Sequence, residues 1–81
     1  MADIIIQEAV GHYLVSTVKL PFDHGINRLP LWYETMVFPQ NSCSEIYMAR
    51  YTTEEEAKAG HLQAVAFALT KEEDDHESNG I

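Results

Sequence analysis

Eighty-one residues, with 13 acidic against 5 basic side chains, carry a formal charge of −8. A chain of this size makes one small domain with a marginal core of its own. Its single cysteine, Cys43, excludes an internal disulfide, and no CxxC or Cys/His spacing supports a structural zinc. The acidity disfavours direct nucleic-acid binding, because no basic stripe offsets phosphate repulsion.

The N-terminus, MADIIIQEAV, lacks the basic region and the apolar run of a secretory signal. No stretch approaches the roughly 18 apolar residues of a membrane span. A single thiol suits a reducing compartment. The expectation is a cytoplasmic protein in a bacterial cell, with homo-oligomerisation as the extra source of stability. An acidic surface also suits a basic face on another protein, although net charge serves solubility by itself.

In chain order, DIIIQEAV reads either as a short strand or as the start of the next one, bent at Gly11. HYLVSTVKLPF, residues 12 to 22, alternates with a period of two. Tyr13, Val15, Thr17 and Lys19 fall on one side, and Leu14, Ser16, Val18 and Leu20 on the other. DHGINRLP, 23 to 30, has the composition of a loop. LWYETMVF, 31 to 38, is a second long strand, PQNSCS a turn, and EIYMARY, 45 to 51, a third strand.

The helix signal is the clearest. Thr53 and Glu56 have capping-box spacing, and three glutamates sit at the positive end of the dipole. At 100° per residue, Ala57, His61, Ala64, Val65 and Ala68 share a face, with Leu62 and Leu69 beside it. Gly60 costs about 1 kcal/mol against alanine, which suggests a close backbone approach there or a tolerated cost. After Thr70 the composition turns acidic. KEEDDHESNGI has five acids in its first seven positions and reads as a solvated tail.

The expected fold is α+β: an antiparallel three-stranded meander, four-stranded if DIIIQEAV is a strand, with one C-terminal helix on one face. A single β-β-β-α domain spans 1–70, and a flexible acidic tail spans 71–81. The other sheet face is left with large side chains and no second helix, so Trp32, Met36 and Phe38 are candidate interface residues.

The chemistry-bearing candidates lie on different elements. A carboxylate beside an imidazole can orient it for acid–base work, which draws attention to Asp23, His24, Glu34 and His61. The same groups include donor types for a divalent metal, but no motif spacing supports one, and neither metal nor cofactor is expected. No nucleophile elbow or glycine-rich phosphate loop is present. Arg50, Tyr51, Trp32 and Tyr33 carry groups that stack on a ring or clamp an anion, so a small-molecule ligand stays open.

Three blocks carry a resemblance. VSTVKL leads to Asp23–His24; Pro30, Leu31 and Tyr33 lead into Glu34–Phe38; Arg50, Tyr51, Thr53, Glu56, Ala57, Gly60 and His61 complete the third. Together they resemble short bacteriophage and prophage proteins with the blocks VSTVxL, DH, PLx[FY]ETMVF and RYxTxxEAxxGH. The likeness covers about residues 13 to 61; IIIQEAV and the chain after Thr70 lie outside it. It implies a viral or prophage origin and no particular activity. It also singles out Asp23, His24, Glu34, Thr35, Arg50 and His61 as one candidate polar site or a buried network.

The function expected is therefore that of a small accessory protein acting by binding. Its target would be a host or phage protein, as for an inhibitor or counter-defence factor, or a sequestered small ligand. A virion or assembly component is the alternative, and a small metal-assisted or acid–base enzyme a second one. Within LWYETMVFPQ, Glu34 shares its face with Trp32, Met36 and Phe38. A carboxylate among three large apolar side chains needs compensation: either it pairs with Arg50 or a histidine in a partly buried network, or that face meets a partner.

Overall fold

The computed structural model describes residues 3–21 and 30–79, with side chains through Asp74. The order is β1 (Asp3–Val10), β2 (Tyr13–Lys19), β3 (Tyr33–Pro39), β4 (Tyr47–Tyr51) and α1 (Glu54–Asn79). The strands form one antiparallel sheet in the order β1-β2-β3-β4, so the fold is α+β. DIIIQEAV is a full strand, which makes the sheet four-stranded. Gly11 does more than bend the chain. At φ 59° it opens a two-residue hairpin connection between Val10 and Tyr13, a conformation that side chains with a Cβ rarely adopt.

The pairing register fixes which side chains share a face. Val15 lies opposite Val37, Thr17 opposite Thr35, and Thr35 opposite Ala49. Strand alternation then puts Tyr13, Val15, Thr17, Tyr33, Thr35, Val37, Tyr47 and Tyr51 on one face. That face carries α1, which packs mainly across β2 and β3. Val10, Tyr13, Val15, Val37, Ala64 and Ala68 form the core, with Tyr47, Val65 and Phe67 packed against it. The rings of Tyr47 and Phe67 meet tilted at a centroid distance of 4.9 Å.

The helix starts as its sequence dictates. Thr53 Oγ1 accepts from the Glu56 backbone N–H at 3.1 Å, and Glu56 Oε1 accepts in return from the Thr53 N–H at 3.1 Å. Its buried stripe is Ala57, Gly60, His61, Ala64 and Ala68, nearly all small residues. Small residues bring the helix close to the sheet and narrow the contact. Leu62 and Leu69 consequently face outward, 70% and 54% exposed, beside the stripe rather than in it. Gly60 is a close approach of a side chain: a Cβ there would overlap the ring and hydroxyl of Tyr51.

The helix continues to Asn79. Glutamate and lysine are good helix formers, and propagating an existing helix costs little compared with starting one. The first turn past Thr70 is also tied to the hairpin. Glu72 accepts from the His12 backbone N–H at 3.0 Å and lies 2.8 Å from His12 Nδ1. Its carboxylate fills the space that a Cβ at Gly11 would occupy.

Candidate functional site

The six polar residues singled out in the sequence do not form one cluster. Asp23 and His24 fall outside the described residues. The other four divide between the two faces of the sheet, because Glu34 and Thr35 are consecutive in β3 and point opposite ways. Glu34 and Arg50 are on the open face; Thr35 and His61 are under the helix.

Beneath α1 the polar groups form a chain. His61, 1% exposed, sits on the buried helix stripe over β2. Its Nε2 is 2.7 Å from Glu8 Oε1, and its Nδ1 is 2.7 Å from Thr17 Oγ1. A carboxylate can only accept, so Nε2–H donates to Glu8, while the direction of the Nδ1–Thr17 hydrogen bond follows the ring's protonation. Thr17 and Thr35, cross-strand partners and both fully buried, share a hydrogen bond at 2.6 Å. The Tyr51 hydroxyl lies near Thr35 and Tyr47. Burial pushes the Tyr51 hydroxyl above its ordinary 10.0, with Tyr47 adding to the rise and Thr35 partly offsetting it.

Among the described residues no fully buried side-chain polar atom lacks a partner. The network is therefore complete, which is the condition under which buried polar groups hold a fold together. Its carboxylate–imidazole–hydroxyl order is also that of a nucleophilic triad. Thr17 is fully buried beneath the helix, however, and its hydroxyl is engaged on both His61 and Thr35. The geometry positions and satisfies these groups without presenting the hydroxyl to a substrate.

On the other face, Arg50 Nε donates to Glu34 Oε2 at 2.8 Å, the two residues being cross-strand partners. Glu34 is 8% exposed, and the Arg50 side chain is 34% exposed. Around this pair the register collects Ile4, Leu14, Val18, Met36, Phe38 and Met48 on the same face; Trp32 precedes β3 and lines a cavity with Lys19, Tyr33, Thr52, Thr53 and Glu54. Ile4, Trp32 and Met48 are exposed, as is Ile46 just before β4. Leu14, Val18, Met36 and Phe38 are half-buried with no helix above them.

The aromatic and cationic group considered for ring binding is split by the same alternation. Arg50 faces the open side, Tyr33 and Tyr51 the helix side, and Trp32 lies before the paired residues of β3. The arrangement offers no clamp built from all four. Among the described residues, no three His, Cys, Asp or Glu side chains are placed to hold a metal ion. Nor is any described helix long and apolar enough to cross a membrane.

Glu8 and Thr17 were the network members that the sequence reading did not single out. Thr17 had a legible signal, since it alternates with Val15 on what became the core face. Glu8 had none, because its strand could not be placed. His12 was passed over as well, and its partner Glu72 lies 60 residues away. Comparison with protein-family models, with curated proteins and with solved structures gives no match.

Proposed function

We propose that this chain is a small phage-type accessory protein that acts by binding another protein through the open face of its sheet. Inhibition of a host factor or of a host defence in the bacterial cytoplasm is the biological role we assign to it. The observation that carries the reading is the face itself. Large apolar side chains from all four strands lie there uncovered around one Glu34–Arg50 pair. A monomer rarely leaves such a surface bare unless it works there. Trp32, Met36 and Phe38 are its expected anchors, since aromatic and methionine side chains dominate binding energy at interfaces.

The polar groups under the helix serve the scaffold in this reading, so no catalytic residue, metal or cofactor is assigned. The phage resemblance of VSTVKL, PLWYETMVF and RYTTEEEAKAGH supports the origin; it carries no activity with it. The experiment is affinity capture from bacterial lysate with the wild-type chain and with Ile46→Glu, a change at an exposed rim residue. Partners held by the wild type and lost by Ile46→Glu are the expected result. Capture that is equal for both, or absent for both, contradicts the reading.

A further inference from the structure

We infer that in the free protein the open sheet face is covered by a second copy of this chain, packed sheet on sheet about a two-fold axis, which the host partner displaces; this rests on the reading of that face as the binding surface. Charge is the first reason. The chain carries −8, yet most of the described acids lie elsewhere. Glu54, Glu55, Glu56, Glu72, Glu73 and Asp74 are on the helix, and Glu8 points beneath it to His61. Among the described strand residues, the ionisable side chains facing the open side are Glu34 and Arg50, which neutralise each other at 2.8 Å. Two copies of so acidic a chain can approach closely only through a surface that brings no net charge. A basic partner, by contrast, would find its attraction on the helix side.

Self-complementarity is the second reason. In a two-fold contact each patch meets its own copy. A pair that supplies both signs lets Glu34 of one protomer face Arg50 of the other, so neither charge is left alone as water leaves.

Area is the third. Four strands about 4.8 Å apart, about seven residues long at about 3.3 Å each, give a footprint of roughly 450 Å² per copy before side-chain corrugation. That sits near the lower bound of a specific interface, so the dimer dissociates on dilution. The other exposed apolar pair, Leu62 and Leu69 on α1, lies among the helix acids and would bring like charges together.

The test is light scattering of the full chain across about a hundredfold dilution, for wild type, Met48→Glu and Leu62→Glu. Both substituted side chains are exposed, so each variant keeps the wild-type circular dichroism. Wild type and Leu62→Glu should read twice 9.2 kDa when concentrated, and Met48→Glu should read 9.2 kDa throughout. Added salt should strengthen the dimer by screening the remaining acids. A wild type at 9.2 kDa throughout overturns the second copy; if Ile46→Glu still loses its captured partners, the open face survives as the surface for a different protein. A dimer that persists in Met48→Glu, or that Leu62→Glu dissolves, places the contact on a strand edge or the helix and overturns the proposal. A dimer broken by Met48→Glu with no capture from lysate removes the host-factor reading and leaves the self-association standing.

Discussion

Glu34 and Thr35 are neighbours in the chain and both are buried, yet their polar groups are satisfied in opposite ways. Thr35 faces the helix and joins a closed set of hydrogen bonds through Thr17 to His61 and Glu8. Glu34 faces the open side and is held by one arginine that stays partly in water. Beneath a permanent cover every donor and acceptor must be matched within the fold, because water cannot repair a mismatch. On an uncovered face a charge pair is tolerable, since the cationic partner still reaches solvent. The same pair remains available to a second surface.

The largest expected effect comes from breaking the covered side. His61→Ala removes the hub between Glu8 and Thr17 and leaves a cavity against the sheet. It should cost about 3 kcal/mol in denaturant unfolding. A loss below about 1 kcal/mol would mean that the network is dispensable. Next is the open side. Arg50→Met leaves Glu34 nearly buried without its cation and should cost about 1–2 kcal/mol, less than a fully buried pair because Arg50 is part-exposed. A cost equal to that of His61→Ala would erase the contrast between the faces.

Gly60→Ala sharpens the covered side further. Helix propensity alone favours the change by about 1 kcal/mol, whereas the new Cβ would displace Tyr51 at a cost of about 1–3 kcal/mol. A net destabilisation of about 1 kcal/mol is expected, and a stabilised variant would show that Tyr51 moves freely.

The smallest effect is a pH slope. Tyr51 titrates above 10.0 in the fold because burial disfavours its charged form. Its contribution is therefore complete below pH 10.0 and is lost as pH rises through the higher folded value. Tyr51→Phe should flatten the alkaline fall in stability, measured as unfolding midpoints from neutral pH upward. An unchanged fall would assign it to other groups.

Much of this was legible in the sequence at the level of faces. Alternation assigned Glu34, Met36 and Phe38 to one side and Tyr33, Thr35 and Val37 to the other, and the register agrees; Trp32, assigned with the first set, precedes the paired residues. The capping box and the stripe from Ala57 to Ala68 were readable for the same reason: local periodicity records which side is buried. Grouping Glu34 with His61 failed because a shared pattern says nothing about the face on which each member ends. Thr17 was legible by its alternation with Val15, but the hydrogen bonds that join it and Glu8 to His61 were not, because bonds between distant elements leave no local trace. The helix beyond Thr70 was not legible, because acidic composition does not record the propagation of a helix already formed.

The central claim is that the open face is the working surface and that a second copy covers it. Oxidative footprinting of Met48, exposed on that face in the single chain, tests it most directly when run at low and at high chain concentration. The account predicts that Met48 is oxidised readily in dilute solution and protected on concentration. Oxidation of Met48 that stays equally fast at both concentrations would contradict it.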